Sequence, residues 1–370
     1  MLDSFDLRGS PISPPAANFS RSSAARAAMA LCALSDDALG VVFEGMRNVL
    51  DPRVVVDSSS ASRELWEPTQ AMRHQLKSEY EAAASLCLKI GVRSCKELRE
   101  VKVVRLVNKD LVADDLATLG SLGSVLPALE TLTLVSLDIG SGPDGQAFTV
   151  GGQVLTGPGG MQRLAAGLGA GALLALISID LFDTYMGDAG AEAFAAALGR
   201  GAMPRLETLS LNDAAIGDAG LVALAPGLRR LPALRTLTLV SNPFGDGGVA
   251  ALLAPPPPAG ALLPPAGALL PPTSALPLPA AALPPPTQGL AKLQLLDFSF
   301  CQVADVGCAA LVAALDSGAL PALKFLDLAG PRCASTAAFD AVFGAFAAHE
   351  EAKYTKYIRA VSGNMLALPA

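Results

Sequence analysis

The most constraining feature of this 370-residue chain is a segment that repeats itself after 28 residues. The first copy, LETLSLNDAAIGDAGLVALAPGL, begins at Leu206, and the second, LRTLTLVSNPFGDGGVAALL, begins at Leu234. In both copies three apolar residues in the spacing Leu-x-x-Leu-x-Leu are followed by Gly-Asp. A fixed period with apolar positions in register is typical of a solenoid, and a solenoid offers one long face for binding.

Each copy predicts one strand, one turn and one helix. The last two leucines of the pattern are two residues apart, so both point to the same face of a short strand. An apolar helix follows the turn, and a helix that connects two parallel strands gives a right-handed crossover. Stacked copies therefore predict an α/β right-handed horseshoe, with a parallel sheet inside and helices outside. One copy cannot bury its leucines alone, so its neighbours are part of its fold.

The same pattern identifies weaker copies on both sides of this pair. Seven copies begin at residues 101, 129, 176, 206, 234, 293 and 323. Two intervals, of 47 and 59 residues, are longer than the others, which have 28 to 30 residues. We interpret the Gly-rich segment 140–160 and the Pro-rich segment 254–287 as loop insertions between repeats. The repeats then span 98–348, between a helical segment at 31–97, preceded by a disordered tail at 1–30, and a helical tail at 349–370.

These copies resemble the leucine-rich-repeat family, in particular its ribonuclease-inhibitor type, with the pattern LxxLxLxxNxIGDxGxxxLAxAL. The resemblance implies the fold described above and a protein-binding role. It also implies that an Asn or Cys after each strand bonds the turn backbone, and only Asn242 and Cys301 fit that position here. In the recurring Gly-Asp-x-Gly strings, such as Gly217–Gly220, we interpret Asp as the cap of the helix that it begins and Gly as the source of positive φ.

The residues between the buried positions of each strand point to the concave side of the predicted horseshoe. Most of them are small hydroxyl residues and valines, and tight interfaces are richer in Trp, Tyr and Arg. We therefore expect modest affinity for a protein partner, with Phe182 and Phe325 as the main anchors. The candidate contact residues are Arg105, Asp180, Phe182, Asn212, Asp297, Phe325 and Asp327.

The segment 31–97 lacks the repeat and begins with an amphipathic helix pattern. Its apolar face consists of Leu34, Leu39, Val42, Phe43 and Met46. Together with Asp37 and Trp66, this pattern resembles the F-box, a short helical module. The resemblance implies that the apolar face binds the adaptor of a cullin-type ubiquitin ligase. A helical cap that shields the first repeat explains the same pattern, and both interpretations stay open.

The composition bears on the other functional classes. Apolar residues make up 51% of the chain, but the longest stretch without charge, 247–291, is broken by prolines and cannot be a membrane helix. A net charge of −7 without a basic block gives no support for nucleic-acid binding. With two histidines and no catalytic motif, we predict no enzyme activity and no metal or cofactor. The six cysteines form no disulfide framework, which favours a reduced, cytoplasmic or nuclear protein.

We therefore expect a non-enzymatic protein–protein interaction protein. The F-box resemblance implies a substrate receptor of a cullin-type ubiquitin ligase that holds its target on the concave face. The alternative is a ribonuclease-inhibitor-like scaffold or regulator with no ligase link. The proline-rich insert is either a polyproline II ligand for a proline-reading domain or a tolerated low-complexity expansion.

Replacing residues 254–287 by a three-residue bridge is expected to leave the protein folded. The deletion shortens the interval between Leu234 and Leu293 from 59 to 25 residues, and the bridge restores the interval of 28. Because the free energy of loop closure changes by only about 0.6 kcal/mol per doubling of length, circular dichroism should show an unchanged or slightly higher Tm. Loss of the cooperative melting transition would mean that the insert is a structural element.

Overall fold

The structure is a computed structural model of the chain. It describes residues 31, 33–46, 48–59, 65, 67–107, 111–135, 149–150, 153–154, 158–254, 290–330, 335–348, 357–359 and 365–367. The predicted tail 1–30, Trp66 and all but the first residue of the insert 254–287 lie outside the described residues.

The chain divides into two compact units. One unit consists of Met1–Val101 with Val125–Ala128, and we call it the helical unit. The other consists of Lys102–Ser124 with Leu129–Ala370, and we call it the repeat unit.

Four helices are described in the helical unit, and each begins or ends at a recognisable signal. They are α1 (Asp36–Met46), α2 (Arg53–Ser59), α3 (Gln70–Ile90) and α4 (Cys95–Glu100). The Ser35 hydroxyl accepts a hydrogen bond from the amide of Ala38 and so caps the start of α1. At the end of α3, Gly91 takes the left-handed conformation with φ 90°. The Ser94 hydroxyl then accepts a bond from the amide of Glu97 and begins α4.

The core of the helical unit corrects one prediction from the sequence. Leu39 and Phe43 are 4% and 0% exposed, and they pack with Val55, Leu65 and Leu76 inside the unit. The prediction that the apolar face of α1 contacts an adaptor is therefore wrong for these two residues. The helical unit uses that face for its own core.

The remaining members of the predicted face differ from one another in exposure. Met46 is partly buried and packs against the core of the helical unit. Val42 is partly buried as well. Leu34 is 39% exposed. The five residues therefore do not form one exposed surface.

The repeat unit contains a sheet in which seven parallel strands follow one another in chain order, with helices between them. This arrangement confirms the predicted α/β leucine-rich-repeat fold. These strands are β1 (Val103–Val107), β2 (Thr131–Val135), β5 (Ser178–Phe182), β6 (Thr208–Ser210), β7 (Thr236–Thr238), β8 (Leu295–Asp297) and β9 (Phe325–Asp327). The intervening helices are α5 (Ala113–Ser121, extended by a 3-10 turn at Leu122–Ser124), α6 (Pro158–Gly167), α7 (Gly187–Gly199), α8 (Asp218–Leu228), α9 (Asp246–Leu253) and α10 (Asp305–Asp316), and α11 (Thr336–Ala348) follows β9.

The apolar positions of the repeat form continuous buried rows between the sheet and the helices. Equivalent strand residues are paired in register, so that Leu209 lies beside Ile179 on one side and Leu237 on the other. These three side chains are at most 1% exposed. Aromatic residues fill the same rows further on, where the Phe244 and Phe298 rings meet edge to face with their centroids 5.5 Å apart.

Aspartates at the starts of α7 and α8 link their repeats to the next one, which differs from the capping predicted from the sequence. Asp218 does not cap α8, the helix that it begins. Its Oδ1 accepts hydrogen bonds from the amides of Gly245 and Gly248, at 2.8 and 2.7 Å, at the start of α9. Asp188 does the same for the start of α8, through the amides of Gly217 and Gly220 at 2.7 and 3.0 Å. The caps therefore connect successive repeats.

This capping also explains the last glycine of the Gly-Asp-x-Gly string. A Cβ atom on Gly220 would lie 2.5 Å from Oδ1 of Asp188, far closer than van der Waals contact. The positive φ predicted for glycine in these strings occurs at Gly187, with φ 61°, but not at Gly217, with φ −89°. At Gly220 the sequence requires glycine because the capping carboxylate of the preceding repeat occupies the space.

Asn242 makes the predicted turn contacts and joins two repeats. Its Oδ1 accepts hydrogen bonds from the amides of Ala214 and Ile216, at 3.2 and 3.0 Å, in the preceding repeat. Its Nδ2 donates to three carbonyls, of which that of Leu211 also belongs to the preceding repeat. Cys301, the other residue predicted for this position, donates its thiol to the carbonyl of Leu239 at 3.1 Å.

The insertion predicted as a loop contains strands. In the insertion 140–160, β3 (Thr149–Val150) and β4 (Gln153–Val154) form an antiparallel hairpin. The two glycines between them in the sequence are a common two-residue hairpin connection. The helix α6 also begins inside that predicted loop, at Pro158, a residue suited to the first position of a helix.

The predicted helical tail 349–370 is wrong at its described residues. These residues form β10 (Tyr357–Arg359) and β11 (Met365–Ala367). β10 pairs parallel to β9, and β11 pairs antiparallel to β10. The last repeat strand would otherwise present unpaired N–H and C=O groups, and a following β-prone segment satisfies them.

None of the helices in the described part of the chain is long and apolar enough to cross a membrane.

Replacing Asp218 with Ala should lower the free energy of unfolding by about 0.5–2 kcal/mol, the usual cost of losing a helix cap. Hydrogen exchange should show faster exchange of the Gly248 amide, which lies in the next repeat. Glu192→Ala removes an exposed carboxylate from α7 and is the matched control, with little expected effect on stability. Faster exchange confined to the first turn of α8 would contradict capping between repeats.

Candidate functional site

The candidate site is the side of the parallel sheet that faces away from the buried leucines, which we call the open face. Alternate residues of each strand lie on it, and their pairing in register arranges them in rows across the sheet. The middle row runs through Arg105, Thr133, Asp180, Ser210, Thr238, Asp297 and Asp327.

An apolar stripe crosses the first three strands of the open face. Val107 pairs in register with Val135, and Val135 with Phe182, so the three side chains lie on adjacent strands. Val107 and Phe182 are 44% and 41% exposed, and Val135 is partly exposed. Val103, on the same face of β1, is 48% exposed. Apolar side chains on neighbouring strands, about 4.8 Å apart, form a continuous surface rather than isolated contacts.

The middle row carries unsatisfied polar atoms. Oδ1 of Asp180 and Oγ1 of Thr238 are both buried and have no hydrogen-bond partner among the described residues. Leaving a buried polar group unpaired costs about 1–3 kcal/mol. A donor supplied by a bound molecule would recover that free energy. Arg105, which begins the middle row on β1, is exposed.

Three of the predicted contact residues use a side-chain oxygen within the protein. Oδ1 of Asp297 accepts a hydrogen bond from the amide of Ser299, and Oδ1 of Asp327 accepts one from the amide of Ala329, both at 2.9 Å. Oδ1 of Asn212 accepts a bond from the amide of Val240, also at 2.9 Å. The bonds of Asp297 and Asp327 are local, to the amide two residues along the chain, whereas the bond of Asn212 reaches the next repeat. These bonds shape the turns and leave fewer acceptors for a partner.

Asp327 and Phe325 are less exposed for contact with a partner than the sequence predicts. Asp327 is only 2% exposed, so its prediction as a contact residue is wrong. Phe325 is partly exposed, and the backbone of β10 pairs alongside it, with Tyr357 opposite Phe325 and Arg359 opposite Asp327. The sequence analysis missed this pairing because it placed the tail in a helix. Of the two predicted anchors, Phe182 is the more exposed.

Two exposed aromatic residues in the turns after the strands were missed. Tyr185 follows β5 and is 37% exposed, and Phe300 follows β8 and is 58% exposed. Both have positive φ, of 45° and 60°. At the position of Phe300, the two preceding repeats carry Asp213 and Ser241, small polar residues that tolerate this conformation better. A bulky residue where the two preceding repeats carry small polar residues was the feature of the sequence that could have identified Phe300.

The amino-terminal edge of the sheet, in contrast, has its charges paired. Lys102 forms a 2.8 Å ion pair with Glu130, and Arg235 forms a 3.4 Å pair with Glu207. The hydrogen bond that Lys102 donates to the Glu130 carboxylate raises the pKa of the Lys102 ammonium group. Exposed pairs of this kind add little stability. The unpaired acceptor of Asp180 therefore distinguishes the open face from this edge.

No three His, Cys, Asp or Glu side chains of the described residues are grouped so that they could hold a metal ion.

Comparison with known proteins identifies leucine-rich repeats in the chain. The family described as Leucine Rich repeat matches residues 203–225, 231–253 and 289–312. Repeats of this type indicate a protein-interaction role. Among solved structures, the chain is similar to one in the crystal structure of the Rad7 and Elc1 complex in yeast. The two are 14% identical, the match covers 74% of this chain and 81% of that chain, and the TM-score is 0.26. The comparison with curated proteins gave no match.

Proposed function

We propose that this chain is a non-enzymatic interaction protein that binds a protein partner on the open face of its repeat unit. The observation that carries this proposal is the buried, unpaired oxygen of Asp180 next to the exposed apolar stripe that ends at Phe182. A bound segment that covers the stripe and donates a hydrogen bond to Asp180 would bury apolar surface and satisfy the carboxylate together.

The charges of the open face define the chemistry of this partner. Asp180 and Asp297 lie in the middle row on β5 and β8, separated by two strands that carry only hydroxyl residues in that row. A basic side chain of the partner matches this part of the face. Arg105 lies two strands to the other side of Asp180 and suits an acidic group. The partner segment is therefore apolar at its centre and basic on the side that contacts β5 to β8.

The turns after the strands extend this surface. Tyr185 and Phe300 are exposed there, and aromatic residues are common anchors of protein interfaces. Phe300 keeps a conformation that disfavours bulky residues, and such outliers cluster at functional sites. In this proposal Phe182 and Phe300 provide most of the buried apolar area. This is the role of a ribonuclease-inhibitor-like scaffold or regulator, and it needs no ligase link.

Selection of a displayed random-peptide library on the full chain tests this proposal. The selected peptides should be enriched in Lys or Arg next to apolar residues. Asp180→Ala and Phe182→Ala should each weaken their binding by about tenfold or more, which corresponds to about 1.4 kcal/mol or more. Isothermal titration calorimetry on purified peptides gives the affinities, and thermal melting confirms that the variants are folded.

Glu192→Ala, on helix α7, is the control and should bind the peptides like the unchanged protein. Peptides without basic enrichment, or equal binding by the Asp180→Ala, Phe182→Ala and control proteins, would place the binding surface elsewhere and overturn the proposal.

We propose as a second candidate that the helical unit binds the adaptor of a cullin-type ubiquitin ligase. The F-box resemblance of its sequence motivates this candidate, and exposed apolar side chains support it. Val41 on α1 is 75% exposed, Val54 on α2 is 54% exposed and Leu34 is 39% exposed. These residues, rather than the buried Leu39 and Phe43, are the proposed contacts. The chain would then be a substrate receptor whose target occupies the open face.

Binding of purified adaptor to the full chain, measured by surface plasmon resonance, tests the second candidate. Val41→Asp should abolish binding, because it places a charge in an apolar contact. Val222→Asp is the matched control: Val222 is a 49% exposed valine on helix α8, and its replacement should not change binding. Absence of binding by the unchanged protein, under conditions in which a known F-box protein binds, would exclude the ligase link.

A further inference from the structure

Two free thiols lie next to each other in the helical unit. Cys87 is in the last turn of α3, and Cys95 is the first residue of α4. Their Sγ atoms are 4.0 Å apart, with the Cys87 thiol directed at Cys95. Both are unoxidised and almost fully buried. The left-handed turn at Gly91 reverses the chain between the two helices and brings the cysteines together.

The thiols also line a cleft of the same unit. The cleft has a volume of about 800 Å³, and Tyr80, Arg53, Arg93 and Lys96 line it together with the two cysteines. This opening gives a small molecule a route to sulfur atoms that are otherwise covered. The acidic side chains of Asp51 and Glu100 line the cleft as well, so its lining carries both signs of charge.

The two sulfur atoms differ in their acidity. The hydrogen bond from the Cys87 thiol lowers the pKa of Cys95, and a hydrogen bond from the Tyr80 hydroxyl adds to this effect. The pKa of Cys87 is raised, first because its proton is held in the bond to Cys95 and then by burial. Cys95 therefore has the larger thiolate fraction at a given pH, and the thiolate is the nucleophile in thiol chemistry.

We propose that Cys87 and Cys95 form a redox site that a hydroperoxide converts into a disulfide. In the first step the Cys95 thiolate attacks the peroxide: an S–O bond forms, the O–O bond breaks, and the leaving alkoxide or hydroxide takes up a proton. Cys95 is thereby oxidised to sulfenic acid, and the peroxide is reduced to alcohol or water. In the second step the Cys87 sulfur attacks Cys95, an S–S bond forms, and the sulfenic oxygen leaves as water with the Cys87 proton.

The geometry permits the second step with small movements. A disulfide needs an S–S distance of about 2.05 Å, so the sulfur atoms must approach by about 2 Å. Rotation of the two side chains and a shift of the α3–α4 turn, which contains Gly91, would provide this movement. Only seven residues separate the cysteines, and a disulfide that closes so short a loop gains little from loop entropy. Such a disulfide is readily reduced again, which suits a reversible site.

Cys301 provides a contrast inside the same molecule. It is also outside any disulfide and buried, but its thiol donates to the carbonyl of Leu239, a contact that joins two repeats. It is not among the residues that line the cleft. Oxidation should therefore favour the Cys87–Cys95 pair over Cys301.

Peptide mapping of the full-length protein after treatment with hydrogen peroxide tests the proposal. Trypsin cleaves after Lys89 and Arg93, so that Cys87 and Cys95 fall on separate peptides, Ser78–Lys89 and Ser94–Lys96. The expected product is these two peptides linked, with the loss of two hydrogens, and dithiothreitol should release them. The linked product should form at least about tenfold faster than Cys301 is oxidised.

Two single variants test the order of the steps. Cys87→Ser should stop at sulfenic acid on Cys95, which dimedone traps, and Cys95→Ser should leave Cys87 as a thiol. If the unchanged protein forms no Cys87–Cys95 link, or if Cys301 is oxidised equally fast, the proposal is wrong. Dimedone labelling of Cys87 in Cys95→Ser, at the rate seen for Cys95, would overturn the assigned roles. The mapping of the unchanged protein remains decisive even if a variant does not fold.

Discussion

The repeat unit depends on side chains of one repeat that satisfy the polar backbone of a neighbouring repeat. The helix starts at Gly217 and Gly245 are capped by Asp188 and Asp218, which belong to the preceding repeats. Asn242 makes five side-chain hydrogen bonds, three of them to the preceding repeat. The apolar rows have the same property, since Leu209 is buried by Ile179 and Leu237 from adjacent strands. Folding of one repeat therefore stabilises the next, as expected for a linear array.

This dependence determines where a partner can bind. Polar groups at the helix starts and in the turns form hydrogen bonds with neighbouring repeats. The charges at the amino-terminal edge of the sheet are paired with one another. On the open face, Asp180 keeps an unsatisfied oxygen and the Val107–Phe182 stripe stays exposed. A binding protein needs surface that its own fold does not use, and in the repeat unit this surface lies on β1 to β8.

The helical unit is stabilised differently, by a small apolar core of its own. Its helices build a core from Leu39, Phe43 and three other side chains. That core accounts for the apolar face of α1 without a partner. The turn between α3 and α4 brings two thiols together beside a cleft. The chemistry proposed for this pair is independent of the binding proposed for the open face.

The repeat pattern in the sequence determined the seven repeat strands, their order and the buried rows, because stacking in register needs only a constant spacing of apolar residues. It also identified Phe182 and Asp180 as open-face residues, since alternate residues of a strand face the same way. The tertiary structure decided the rest. Whether Asp218 caps its own helix or the next one, and whether Asp327 is exposed, depends on contacts between residues that are distant in sequence. The pairing of β10 with β9 and the approach of Cys87 to Cys95 depend on the path of the chain between them, which apolar spacing does not encode.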